Sequence, residues 1–191
     1  DTAGSGRVPA AMCGLVGLKP TRGWLSTAGV VPAVRSIDCV SVFARDLATA
    51  WTVAGVSGGH DSGDAMSRPV PPSVGGTART IGVVARDALA ALGVVPHLLD
   101  AYEQACDALV AAGARAHVVD LGPLMEIGSM LYGGPWVAER HVAVGHHLGD
   151  GVLGLDPVVT GIIERSTRWT ATDVHRAAYR LAELRAQVDA M

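Results

Sequence analysis

The chain has 191 residues, of which 49% are hydrophobic, 4% aromatic and 17% charged, with a formal net charge of −3 at neutral pH. That length suits one domain or most of one and is enough to bury a sizeable core. Acids and bases are interspersed, so no basic stripe marks a nucleic-acid or anionic-membrane surface, and neither partner is expected.

The longest apolar stretches, residues 47–56 and 88–96, are too short to cross a bilayer. No signal peptide opens the chain, and a cytoplasmic location is the expectation. Cys13, Cys39 and Cys106 are odd in number and widely spaced. They suit neither a disulfide framework nor a metal site, and reduced, mostly buried thiols are expected.

In chain order, residues 1–45 are rich in Gly, Pro, Ser and Thr with short apolar groups, which reads as loops and brief strands near a site. DLATAWTVAGVSG, residues 46–58, opens on an N-cap type Asp and closes at Gly, which predicts a helix. PVPPSVGGT, residues 69–77, reads as a surface loop joining parts of one domain, and RTIGVVA, residues 79–85, as a short buried strand. Leu98, Leu99, Tyr102, Ala105, Cys106 and Leu109 recur at helical spacing within residues 96–114, and ARAHVVDL, residues 114–121, predicts the next strand. Strand, helix and strand in that order imply a βαβ unit with a parallel pair.

Residues 122–148 predict two helices broken near Gly133, Gly134 and Pro135. DPVVTGIIER, residues 156–165, puts Asp at an N-cap and Pro at the first helical position. Residues 170–191 predict an amphipathic helix with Val174, Ala178, Leu181 and Leu184 on one face. The fold class is α/β. The chain reads as one partial domain, 1–191, made of 1–45, a helix-strand-helix-strand stretch over 46–121, and a helical substrate-side region over 122–191.

The opening, DTAGSGRVPAA, sets Ser5 between two glycines, with Asp1 before it and Arg7 after. Such a serine lets a substrate approach the backbone closely, and neighbouring N–H groups of the turn can point at a developing oxyanion. Acyl transfer needs both properties. A Gly-Ser-Gly tripeptide is also a common flexible loop. A phosphate loop is disfavoured, because the third glycine of GxGxxG and the Gly-Lys-Ser/Thr ending are missing. Asp1 and Arg7 are close enough to pair across a tight turn, which would hold its N–H dipoles in place.

Residues 1–50 closely resemble the amidase signature family: the block of Asp, Gly-Ser, Arg and Pro, then GLKPTRG, then GVVP, then an Asp before a strand ending in Ala-Arg-Asp. The resemblance implies a mixed β-sheet core covered by helices, with the N-terminal portion missing here and an open sheet edge left behind. It implies that Ser5 is the nucleophile and that backbone N–H groups of Thr2, Ala3, Gly4 and Ser5 form the oxyanion hole. It implies structural support of the site by Asp1 and Arg7, and no cofactor or metal. The family's lysine base and its bridging cis-peptide serine lie upstream of this loop. Lys19, the only lysine, belongs to GLKPTRG and matches neither. A serine hydroxyl without a base is a poor nucleophile at neutral pH, so these residues by themselves are expected to be inactive.

LYGGPWVAERHVAVG, DPVVTGIIER and AAYRLAELR resemble the allophanate hydrolase branch of that family. This resemblance implies that Tyr132 and Arg140 contact a small-molecule substrate. Allophanate is urea bearing a carboxylate, and a guanidinium is shaped to hold a carboxylate by two parallel hydrogen bonds. Gly133 departs from the branch, which commonly has an acidic residue there. Glu139 beside Arg140 invites a plain ion-pair reading instead. A homodimer is left open.

His146 and His147 are adjacent, so on a helix they face different ways and form no metal pair; exposed surface is expected. His60 and Asp61 lie in GGHDSGD, a turn-forming loop without a third ligand. Trp24, Trp51, Trp136 and Trp169 are expected to pack, with Trp136 the one near enough to Arg140 to line a pocket. Two other readings stand: a hydrolase of another small, aryl or aminoacyl amide, and a non-catalytic remnant.

Overall fold

The computed structural model describes residues 1–69, 80–148, 154 and 156–191; most of the predicted loop at 69–77 lies outside these residues. The chain forms two compact units, Asp1–Pro72 with Met130–Ala177, and Ser73–Ser129 with Ala178–Met191.

The first unit begins with a turn that runs into α1 (Val8–Met12), a short helix in a stretch whose sequence reads as loops and strands. Its cause is local: the Gly4 carbonyl accepts from Arg7 N–H at 2.9 Å and Val8 N–H at 2.8 Å, and Pro9 presets the backbone of the first turn. Strands β1 (Val16–Leu18) and β2 (Val42–Ala44) pair antiparallel, with Val16 opposite Ala44 and Leu18 opposite Val42. Helix α2 (Leu47–Ser57) follows as the sequence predicts, with Asp46 accepting from Thr49 N–H at 2.7 Å and Gly58 beyond its end.

Ala50 and Ala54, four residues apart and both fully buried, let the α2 backbone approach the two strands closely. Trp51 meets Trp24 with ring centroids 5.9 Å apart. Helix α5 (Gly122–Gly133) stops at the predicted break; a 3-10 turn (Pro135–Val137) leads into α6 (Ala138–Val144). Asp156 caps α7 (Pro157–Arg165) by accepting from Val158 and Val159 N–H, and α8 (Ala171–Asp189) closes the chain. Leu25, Val34, Val137 and Ile163 are buried in this unit.

His146 and His147 are exposed as expected but do not face apart. α6 has ended, and a 3-10 turn (Gly145–His147) brings their rings to 3.9 Å. Cys39 is buried and Cys106 partly so, whereas Cys13, in the surface turn that ends α1, is exposed rather than buried.

In the second unit β3 (Thr80–Val83) and β4 (Arg115–Val118) pair in parallel, Thr80 with Arg115 and Val83 with Val118, around α3 (Arg86–Ala91) and α4 (Pro96–Ala111). This is the predicted βαβ unit, with one added short helix. Strand β3 is half-buried rather than buried, since only its alternate residues Ile81 and Val83 turn to a covered face. The Tyr102 hydroxyl accepts from Val84 N–H at 2.8 Å, which fastens the end of β3 to α4. Arg180 of α8 grips Glu126 of α5 through two bonds of 2.6 and 2.7 Å. Leu99 and Leu184 are buried here. On the predicted apolar face of α8, Leu184 is buried and Leu181 partly so, but Val174 and Ala178 are exposed, since no described element covers them.

Candidate active site

The turn from Asp1 to Arg7 is held by the Asp1 side chain, which is wholly buried. Its Oδ1 accepts from Gly4 N–H at 2.6 Å, and its Oδ2 accepts from Arg7 Nε at 2.8 Å. The pairing expected of Asp1 and Arg7 is therefore present, and both ends of the turn close on one carboxylate. Gly4 has φ +134°, a backbone conformation that side chains other than hydrogen rarely allow. Gly6 is buried against the chain entering β2: a Cβ there would lie 2.5 Å from the Ser41 Cβ.

This leaves Ser5 at the exposed crest, its hydroxyl without a hydrogen-bond partner among the described residues. The N–H groups of Thr2, Ala3 and Ser5 also donate to no described partner. The Gly4 N–H differs from the other three, because the Asp1 carboxylate takes it. Three N–H donors beside an exposed hydroxyl can stabilise charge on an oxygen that develops next to Ser5.

The turn rests on the loop that carries Asp38, the Asp before the strand in the family pattern. Buried Asp38 accepts from Ala33 N–H at 2.8 Å, from Val34 N–H at 3.1 Å, and from the Thr2 hydroxyl. Asp1 N donates to the Cys39 carbonyl. A cavity of about 160 Å³ beside the turn is lined by Asp1, Thr2, Thr27, Asp38 and others, and Ser5 is not in its lining. A second cavity of about 240 Å³ shares Thr27 and Asp38 with it and adds Asp64. The Asp64 carboxylate accepts from Met66 and Thr27 N–H and from the Thr27 and Ser26 hydroxyls, which hold it well below the ordinary carboxylate range, at about 2. Lys19 donates to the Pro20 carbonyl at 2.8 Å, a structural use.

Among the helices of the first unit, Tyr132 is exposed and opens on a cleft of about 220 Å³ with Val137, Ile162, Arg165, Arg168 and Trp169. Arg140 and Trp136 do not line it, and Trp169 is the tryptophan that does. The Arg168 guanidinium lies 4.8 Å from the Trp169 ring centre. Arg140 is half-buried, and its guanidinium makes no hydrogen bond or ion pair among the described residues. Glu139 does not neutralise it, because that carboxylate is turned to Ser36. Sequence reasoning placed Asp38 only in the family pattern, as the Asp before the strand, and gave it no role; it missed Ser36, Arg165 and Arg168, the Ser-x-Asp pair after a proline-containing loop being the available signal for Ser36.

Among the described residues no group of three or more His, Cys, Asp or Glu could hold a metal ion. No helix among them is long and apolar enough to cross a membrane.

The urea amidolyase of Lachancea kluyveri is 39% identical over 99% of this chain, which spans only 10% of that protein's length. The structure of a serine-to-alanine variant of Kluyveromyces lactis allophanate hydrolase matches 99% of the chain with a TM-score of 0.87 at 37% identity, the match covering 31% of that chain. The indoleacetamide hydrolase of Pseudomonas syringae pv. syringae is 41% identical, but over only 39% of this chain and 17% of its own length. The family model described as amidase matches residues 1–187, and with it the α/β fold agrees: the chain belongs to the amidase family.

Proposed function

We propose that this chain carries the nucleophile turn and substrate-side helices of an amide hydrolase that releases ammonia from allophanate. The observation that carries the reading is the Asp1–Arg7 turn, with Ser5 exposed beside three N–H groups that have no described partner. Likeness to urea amidolyase and allophanate hydrolase over nearly the whole chain, against partial likeness to the indoleacetamide hydrolase, favours allophanate over other amides.

In this mechanism the Ser5 oxygen attacks the terminal amide carbon, and its proton passes to a serine–lysine relay from sequence upstream of the turn. The N–H groups of Thr2, Ala3 and Ser5 hold the oxyanion, while Gly4 shapes the turn and keeps Asp1 in place. The carbon–nitrogen bond breaks, the nitrogen takes a proton and leaves as ammonia, and water then hydrolyses the acyl-serine ester. Arg140 holds the substrate carboxylate, a role supported by the lack of a neutralising partner for it among the described residues, and Tyr132 contacts the substrate from a cleft that Arg140 does not line.

The test is ammonia release by the longest natural polypeptide containing this segment, from allophanate and from small amides without a carboxylate. Allophanate turnover that Ser5→Ala abolishes and Arg140→Gln reduces at least about tenfold is expected. Turnover of the simple amides alone would keep Ser5 and discard the clamp. Silence on every amide would favour a non-catalytic remnant.

A further inference from the structure

Glu139 precedes Arg140 in α6, yet its carboxylate is spent on a residue 103 positions earlier: Oε2 accepts from Ser36 N–H at 2.7 Å, and Oε1 accepts from the Ser36 hydroxyl. Ser36 is gripped from another side as well, since Arg22 donates to its carbonyl. Two residues on, Asp38 binds the N–H groups of Ala33 and Val34 and reaches the Thr2 hydroxyl. Ile37 and Asp38 N–H both donate to the Val34 carbonyl at 2.9 Å, so residues 34–38 form a closed turn. A path of hydrogen bonds, bridged by the backbone from Ser36 to Asp38, thus runs from α6 to the Ser5 turn, inside one compact unit.

We infer that Glu139 is a positioning residue that keeps the helix bearing Arg140 in register with the nucleophile turn, so that clamp and oxyanion donors meet opposite ends of one carboxylated amide. The inference rests on the function proposed above. A carboxylate suits the task because it accepts from the N–H and O–H of the same serine and so fixes orientation as well as distance. Register matters because a misplacement of about 1 Å costs about 100-fold in rate. Glutamine can accept from the Ser36 N–H and donate to its hydroxyl oxygen, which preserves the tie without the charge; alanine removes it.

The experiment compares wild type, Glu139→Ala and Glu139→Gln in the longest natural polypeptide, by amide hydrogen exchange and by kcat and KM on allophanate and on a small uncharged amide. Glu139→Ala is expected to speed exchange about tenfold or more at the hydrogen-bonded amides of residues 33–38 and of residues 2–8, which are those of Gly4, Arg7 and Val8, and leave α2 unchanged. It is expected to lower kcat on allophanate about 10- to 100-fold and to lower kcat on the uncharged amide by a distinctly smaller factor, since the loosened turn serves both substrates and only allophanate also depends on Arg140. Glu139→Gln is expected to restore both readouts to within about threefold of wild type. Unaltered exchange at residues 2–8 in Glu139→Ala overturns the tie, whatever the substrate. Equal losses on both amides overturn the register role and leave a structural one. If the wild type turns over no allophanate while the exchange pattern holds, the coupling of helix and turn is upheld, and the carboxylated substrate is the part that falls.

Discussion

Replacing Asp38 with alanine removes the acceptor of three donors at once: the N–H groups of Ala33 and Val34 and the hydroxyl of Thr2. Val34 is 2% exposed, so its N–H loses its partner with little access to water, at a cost of about 1–3 kcal/mol. Ala33 and Thr2 lie nearer the surface and recover part of their bonding from solvent, which brings the total to about 2–4 kcal/mol. Since about 1.4 kcal/mol is a factor of ten, the Val34 amide should exchange about 30- to 1,000-fold faster wherever exchange proceeds by opening of this loop. Thr2 also loses its anchor, so acylation of Ser5 by a neutral sulfonyl fluoride should slow about tenfold or more. Asp38→Asn, which keeps one acceptor oxygen, should fall between. The assay is hydrogen exchange read by mass spectrometry beside the rate of serine labelling, in the longest natural polypeptide. A change under about threefold in both would refute the view that Asp38 organises the turn.

Gly6→Ala would place a Cβ 2.5 Å from the Ser41 Cβ and is expected to lower stability by about 1–3 kcal/mol, seen as a drop in Tm; adding Ser41→Gly should recover much of it. The Asp64 carboxyl is depressed when folded, so its contribution is present above the unfolded value near 4 and is lost as pH falls from about 4 through about 2. Acid titration followed by near-ultraviolet dichroism of the Trp24–Trp51 pair should show loosening in that window, and Asp64→Asn should weaken the pH dependence. Asp156→Ala removes the acceptor of Val158 and Val159 N–H at the start of α7 and should cost about 1 kcal/mol, with faster exchange confined to the first turn of that helix.

What could be read from the sequence was what local chemistry decides. Asp46 and Asp156 announce their helices because a short acid at an N-cap satisfies N–H groups two and three residues on. The Asp1–Arg7 pair was legible for the same reason, being six positions apart across a glycine turn. α1 was not, since five residues between a glycine turn and Gly14 show no helical period. Burial of β3 and exposure of Val174 depend on what covers them, which their own residues do not encode. The bond from Glu139 to Ser36 joins segments 103 positions apart, and there sequence proximity suggested the wrong partner, Arg140.

The Glu139–Ser36 bond also constrains descent. Ser36 N–H and hydroxyl both rely on one side chain from a distant helix, so an apolar residue at 139 would strand a partly buried donor in another part of the chain. Lineages that carry this pair should therefore change positions 36 and 139 together or not at all. Val142, 84% exposed on the same helix, makes no such demand and can drift by itself. Substitution at one end of the tie thus asks for repair at the other.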